Sequence, residues 1–133
     1  MSQENVEIVR RTYADWELGN MKAGVDLLAP GIVFEAFMPD SSERVVARGR
    51  DEVEAFMREW LGQWRDYRLI GDEFREVGQD QVFVAGRQAA TGRQSGVPVE
   101  NLISSLWTFR EGKVIHLLFE RGRDALEAAG LSE

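Results

Sequence analysis

The sequence predicts an α+β domain with helices packed on one side of a strongly curved antiparallel sheet. In the first half of the chain, apolar residues recur at the spacing of helices. From Tyr67 onward they recur at every second position, as in β-strands. The hairpin at residues 101–121 is apolar on both faces, so each face needs a cover. No linker or repeat interrupts the chain, and we expect residues 1–133 to form a single domain.

Three helices are predicted in the N-terminal half. The first has Ser2 as a plausible N-cap and ends at Gly19. A shorter second helix begins at Asn20 and ends at Pro30. The third has an apolar, unusually aromatic stripe over residues 53–64. These helices are expected to cover one face of the sheet.

Strands are predicted at residues 32–37, 45–47, 68–77 and 81–91, followed by the long hairpin. A polar loop at residues 39–42 separates the first two, and a turn at residues 78–80 joins the next pair. A short C-terminal helix is predicted at residues 123–129. Gly130 would end it in a Schellman cap, with Leu131 touching Leu126.

The turn of the hairpin determines which side chains share a face. A two-residue turn would force Glu111 to positive φ, so we expect a three-residue loop, Arg110-Glu111-Gly112, that pairs Phe109 with Lys113. Trp107 would then oppose Ile115, and Ser105 would oppose Leu117. The expected inner face carries Asn101, Ile103, Ser105, Trp107, Phe109, Ile115, Leu117, Phe119 and Arg121. The expected outer face carries Leu102, Ser104, Leu106, Thr108, Val114, His116, Leu118 and Glu120.

Composition excludes several classes of function. The net charge is -7 and no run of Lys or Arg occurs, which argues against nucleic acid or an anionic membrane as a partner. The chain has no cysteine and one histidine, so no metal-ligand spacing is present, and we expect no metal and no cofactor. A polar N-terminus and the lack of a long apolar run indicate neither a signal peptide nor a membrane span. We expect a cytoplasmic protein.

The outer face of the hairpin would leave an apolar patch exposed. We therefore predict a homodimer joined through the convex face of the sheet. The alternative is a convex face that stays partly wet. The predicted interface residues are Leu102, Leu106, Val114, His116 and Leu118.

Taken together, the order of several segments resembles the SnoaL-like branch of the nuclear transport factor 2-like superfamily, which includes ketosteroid isomerase and polyketide cyclases. The resemblance implies a cone-shaped fold, with three helices closing a curved sheet over an apolar cavity, and many such proteins are homodimers. The segments that carry it are Leu18-Gly19-Asn20-Met21, Arg48-Gly49-Arg50, Gly92-Arg93-Gln94-Ser95-Gly96-Val97, Trp107-Thr108-Phe109-Arg110-Glu111-Gly112-Lys113-Val114 and Ala125-Leu126-Glu127-Ala128-Ala129-Gly130-Leu131.

The catalytic positions of ketosteroid isomerase do not match. That enzyme uses a carboxylate base, with a Tyr and a neutral Asp that hold the enolate oxygen. By resemblance its Tyr falls at Thr12, its base at Ala36 and its Asp at Ser105. A shift of one residue in this alignment would place Tyr13 or Glu35 at a catalytic position. The acid set of epoxide-hydrolase relatives and the two histidines of scytalone dehydratase-like enzymes are also absent.

An aromatic box for a ring-shaped ligand is predicted inside the cone, although core packing alone could explain each member. Glu35 is the candidate general base, yet strand alternation points it away from the cavity. Arg121 could bind a carboxylate or pair with Glu120 or Glu127 at the rim. The predicted pocket residues are Tyr13, Trp16, Phe34, Phe56, Trp60, Trp64, Asn101, Ile103, Ser105, Trp107, Leu117, Phe119 and Arg121.

Three functions are compatible with these residues. The first is a cofactor-independent isomerase, cyclase or hydrolase that acts by acid–base chemistry on a small hydrophobic cyclic carbonyl compound. The second is a binding protein that sequesters such a small hydrophobic molecule unchanged. The third is a dimeric association module whose cavity only reflects packing. The enzyme hypothesis rests on the resemblance, which is a fold-level argument.

Overall fold

The computed structural model describes residues 2–37 and 43–131 and confirms the α+β class. The predicted loop at residues 39–42 lies outside the described residues. Of the described helices, none is long and apolar enough to cross a membrane. The elements in chain order are α1 (Ser2–Glu17), a 3₁₀ turn (Val25–Leu27), β1 (Leu28–Phe37), β2 (Arg44–Arg48), α2 (Arg50–Leu61), β3 (Trp64–Gly78), β4 (Gln81–Gly92), β5 (Pro98–Arg110), β6 (Lys113–Arg121) and α3 (Ala125–Ala128).

The six strands form one sheet in the order β2-β1-β6-β5-β4-β3. The expectation of an antiparallel sheet is wrong for one pairing, because β1 runs parallel to β6. The other four pairings are antiparallel. β1 and β6 are far apart in sequence, so no tight turn imposes an antiparallel direction on them. The sheet is therefore mixed.

The prediction of three N-terminal helices is wrong for the second of them. Only the 3₁₀ turn forms between Asn20 and Pro30, after Gly24 at φ 88°. β1 already begins at Leu28 and includes Pro30. The predicted third helix ends at Leu61, before Gly62, so Trp64 lies in β3 instead. Glycine is a poor helix former, which explains this boundary.

The predicted hairpin register is wrong by one residue at the turn and by two residues beyond the bulge. Arg110 pairs with Lys113, which leaves a two-residue turn with Glu111 at φ 51° and Gly112 at φ 78°. Positive φ at both positions gives the twist that matches two antiparallel strands. A bulge near Phe109 then puts Trp107 opposite Leu117. An even shift keeps most side chains on their predicted faces.

The bulge moves Val114 to the other face. Val114 pairs with Phe109, is fully buried, and belongs to the main core together with Leu28 of β1. It is therefore not an interface residue, contrary to the prediction. The main core lies on the concave side of the sheet, where α1 packs on β3 and β4, and α2 packs on β1, β2 and β3.

A second, smaller core covers the middle of the convex face. Leu106 and Leu118, both predicted for a dimer interface, are 2% and 5% exposed within the single chain. The cover is α3, held by the predicted Schellman cap, in which the Leu131 N–H donates to the Leu126 carbonyl over 3.0 Å. The members of this core are Phe83, Ala85, Leu106, Leu118, Ala125 and Leu126. The chain's own C-terminal segment thus supplies this cover.

Curvature of the sheet comes from β3 and β4. Gly71 pairs with Gly86, and the register shifts between Gly71 and Glu73, so a bulge bends the strand here. A Cβ at Gly86 would collide with the carbonyl oxygen of Ile70. Only glycine permits this close backbone approach. The bend gives the sheet the concave face on which the candidate site lies.

Candidate functional site

A cavity of about 540 Å³ lies between the concave face of the sheet and the two long helices. This volume is in the range of small-molecule sites. Its wall is mostly apolar and comes from α1, the α1–β1 connection, α2 and five of the strands. The lining residues are Trp16, Met21, Lys22, Ala23, Gly24, Val25, Leu28, Ile32, Phe34, Ala36, Phe37, Val53, Glu54, Phe56, Met57, Arg58, Trp60, Leu61, Tyr67, Leu69, Gln88, Ile103, Trp107, Leu117 and Phe119.

Aromatic rings form two groups in the wall. On one side the Trp16 and Trp107 ring centroids are 5.7 Å apart. On the other, Phe34 contacts Phe56 at 5.3 Å and Phe119 at 5.8 Å, and Trp60 stacks on Phe56 at 6.4 Å. Such distances are those of favourable aromatic pairs. A flat hydrophobic ligand would therefore meet ring faces and edges on both sides.

The most buried polar group in the wall is a Tyr–Gln pair. The Tyr67 hydroxyl donates a hydrogen bond to Gln88 Oε1 over 2.6 Å, and both side chains are buried. Burial raises the pKa of Tyr67 to about 12, so its phenol stays protonated at neutral pH. Among the described residues, none accepts a hydrogen bond from Gln88 Nε2. This amide can therefore donate to a bound molecule.

The indole of Trp107 is fixed from behind the wall. Its Nε1 donates to Ser105 Oγ over 2.9 Å, and the Tyr13 hydroxyl lies 2.8 Å from the same oxygen. Burial raises the pKa of Tyr13 far above that of a free tyrosine. Neither Tyr13 nor Ser105 lines the cavity. Their contribution is to hold Trp107 in place.

Three charged residues mark the mouth of the cavity. Lys22 lies in the α1–β1 connection, and Glu54 and Arg58 lie one turn apart on α2. All three are exposed, whereas lining residues such as Ile32 and Trp107 are almost completely buried. The opening is thus bordered by two cations and one carboxylate.

Eight of the predicted pocket residues line the cavity: Trp16, Phe34, Phe56, Trp60, Ile103, Trp107, Leu117 and Phe119. Five predicted residues do not, namely Tyr13, Trp64, Asn101, Ser105 and Arg121. The Trp64 indole N–H is buried with no acceptor among the described residues. Asn101 pairs with Gln88 across β4 and β5 but lies outside the cavity. The Arg121 guanidinium lies 4.0 Å from the Phe37 ring centroid at a surface cleft, where Arg44 also forms an ion pair with Glu120.

Glu35 lies on the convex face, so the prediction that it is a base in the cavity is wrong. Its Oε2 lies 2.6 Å from Nε2 of His116, another residue predicted for a dimer interface. Alternation along β1 explains this, because Phe34 and Ala36 on either side line the cavity. Thr12 falls at the position of the ketosteroid isomerase tyrosine, and its hydroxyl donates a hydrogen bond to the Ile8 carbonyl within α1.

Tyr67 and Gln88 line the cavity but are not among the residues predicted from the sequence. A signal for Gln88 was present, because it is the polar member of the alternating series Val82, Val84, Gly86, Gln88 and Ala90 on β4. A single polar residue on an apolar face of a strand is a candidate for ligand contact or for a buried hydrogen bond. In the described residues, no group of three acidic or histidine side chains could hold a metal ion.

A curved sheet closed by helices over an apolar cavity defines the nuclear transport factor 2-like class of fold. The sequence model of the SnoaL-like domain matches residues 9–117, and the chain belongs to this family. A comparison with curated proteins finds no match.

Solved structures support the same fold. A nuclear transport factor 2-like protein from Burkholderia thailandensis is 24% identical, with a TM-score of 0.75 over 96% of this chain and 97% of its own. A protein with a ketosteroid isomerase-like fold from Catenulispora acidiphila, in complex with trimethylamine, is 14% identical, with a TM-score of 0.74 over 96% and 98%. TerC, co-crystallised with polyporic acid, is 20% identical, with a TM-score of 0.73 over 94% and 96%. At these identities the likeness concerns the fold.

Proposed function

We propose that this protein binds a small, flat, hydrophobic molecule in the concave cavity and recognises a hydrogen-bond acceptor on it, such as a ketone, through Gln88. The observation that carries this proposal is the Gln88 amide, which lines an apolar cavity with its Nε2 unpaired among the described residues. The amide faces an apolar cavity, so a ligand carbonyl that reached it would gain one hydrogen bond.

Tyr67 supports the assignment of Gln88 as a donor. Its hydroxyl donates to Gln88 Oε1, which fixes the amide so that Nε2 is the free end. The raised pKa of Tyr67 keeps this donor protonated at neutral pH. The pair thus presents one orientation of the amide to the ligand, and the surrounding rings supply hydrophobic contact.

Binding is better supported than acid–base catalysis. Proton transfer needs a group that can accept a proton at neutral pH within reach of the ligand. Among the described lining residues, the one carboxylate is Glu54 at the exposed mouth, and Tyr67 is protonated. The second candidate, a cofactor-independent isomerase, cyclase or hydrolase, would therefore have to use Glu54.

The test uses 2-acetylnaphthalene as a neutral ketone and 2-ethylnaphthalene as its hydrocarbon analogue. Trp16, Trp60 and Trp107 line the cavity, so quenching of tryptophan fluorescence measures binding. Gln88→Leu should weaken the ketone about tenfold and leave the hydrocarbon unchanged, because one hydrogen bond is lost.

The control is Gln94→Leu, the same substitution in an exposed loop. The double variant Tyr67→Phe/Gln88→Leu removes both partners and guards against a fold defect from an unpaired phenol. If the wild-type protein binds neither compound, or if Gln88→Leu weakens both equally, the proposal is wrong.

We also propose a homodimer formed through the convex face, with Leu102 at its interface. This side chain is 69% exposed on β5, outside the area that α3 covers. Leu102→Asp should then produce monomers in analytical ultracentrifugation, with Leu18→Asp, on another exposed leucine, as control. A monomeric wild-type protein contradicts this proposal.

A further inference from the structure

The mouth of the cavity carries two basic side chains without a partner. Neither Lys22 nor Arg58 makes a side-chain hydrogen bond or ion pair with any described residue. Elsewhere, basic side chains at the surface are often engaged, as Arg44 is by Glu120 and Arg87 by Asp72. Lys22 and Arg58 line the same apolar cavity, so a chain with net charge -7 here places two cations at one opening.

The third charge at the mouth restricts the ligand further. Glu54 is four residues before Arg58 on α2, a spacing that favours an ion pair, yet none forms. The rim therefore has two positive charges and one negative charge. One carboxylate at this rim would neutralise its net single positive charge.

We propose that the ligand is a hydrophobic monocarboxylic acid, with its ring system between the aromatic groups, an acceptor against Gln88, and its carboxylate at Lys22 and Arg58. This inference rests on the proposed binding function and adds the charge of the ligand. Lys22 lies in the segment between α1 and β1, and Arg58 on α2, so the carboxylate bridges the two elements that flank the opening.

The probes are 6-acetyl-2-naphthoic acid and its methyl ester, which share the ketone and the ring and differ in charge. The acid, ionised at neutral pH, should bind the wild-type protein about tenfold more tightly than the ester at low ionic strength. Lys22→Gln/Arg58→Gln should remove this advantage, so that acid and ester bind with equal affinity. Glu54→Gln should increase the advantage.

The control is Arg11→Gln/Arg110→Gln, which removes the same charge from exposed positions outside the cavity. Equal affinity for acid and ester overturns the inference, as does an advantage that survives Lys22→Gln/Arg58→Gln. If 2-acetylnaphthalene binds through Gln88 in that case, the proposed function stands and this inference alone fails. If no compound binds, both are wrong.

Discussion

On the concave face of the sheet, two long helices leave an apolar cavity, whereas on the convex face the four-residue α3 packs directly on the apolar residues of the sheet. The apolar residues on the two faces alternate along the same strands: Trp107 of β5 lines the cavity, and its neighbour Leu106 lies beneath α3. Leu106 and Trp107 are both almost completely buried. The faces thus differ in what covers them, not in the strands themselves.

The difference has a physical reason. Ala125 and Leu126 are small enough to sit directly on Phe83 and Leu118, so the convex core closes by dispersion contacts. On the other side, large rings such as Trp16 and Phe56 hold the helices and sheet apart. Rings that border a cavity lose contact partners, which lowers stability. A protein that retains such a cavity sacrifices packing there, which is consistent with the ligand binding proposed above.

The largest expected effect comes from a substitution in α3, the helix that covers the convex face of the sheet. Leu126→Ala should lower the free energy of unfolding by about 2 to 5 kcal/mol, because it opens a void over Phe83, Leu106 and Leu118. Urea unfolding measures this. Leu18→Ala, at a leucine that is 80% exposed, is the control and should change stability by less than about 0.5 kcal/mol. A loss below about 1 kcal/mol for Leu126→Ala would show that α3 does not seal the convex face.

The second prediction concerns both tyrosines, which lie on the concave side. Burial raises the pKa of Tyr67 from 10.0 to about 12 and raises that of Tyr13 as well. Because the folded pKa is higher, the stability that Tyr67 contributes is complete below pH 10 and is lost as pH rises through about 12. Ultraviolet absorbance of tyrosinate should therefore show no ionisation near pH 10 in the folded protein.

The same chain in guanidinium provides the reference for this titration, since both tyrosines should then ionise near pH 10. Gln88→Leu removes the hydrogen-bond acceptor of the Tyr67 hydroxyl but leaves it buried, so the late ionisation should persist. A tyrosine that titrates near pH 10 before unfolding would mean that the concave face is more open to water than the structure indicates.

The third prediction concerns how Trp107 is held. Tyr13→Phe removes a buried hydrogen bond to Ser105 Oγ and should cost about 1 kcal/mol of unfolding free energy. Trp107 should also become less rigid, with a lower fluorescence anisotropy. Ser105→Ala removes the shared oxygen, so the double variant Tyr13→Phe/Ser105→Ala should be less destabilised than the sum of the single variants. Strict additivity would contradict a shared network.

The sequence alone predicted the side chains of the concave face better than the contacts between distant parts of the chain. Strict alternation along β5 and β6 is a local property, so Ile103, Trp107, Leu117 and Phe119 were found. The bulge that turns Val114 inward was not, because Glu111 adopts a positive φ that sequence rules disfavour. The packing of Leu126 on Leu118 and the parallel pairing of β1 with β6 were not predicted, because both depend on contacts between distant parts of the chain.

The smallest expected effect is at Glu35, the acid first considered for catalysis. The Glu35 and His116 side chains are 28% and 32% exposed, and a polar contact so accessible to water contributes less than about 1 kcal/mol. Glu35→Gln should therefore change stability little and leave the binding of 2-acetylnaphthalene unaltered, in contrast to Gln88→Leu. A fluorescence titration of both variants makes the comparison. If Glu35→Gln weakened binding of the ketone as much as Gln88→Leu does, ligand recognition would extend through β1 to the convex face. The two faces of the sheet would then not be functionally separate.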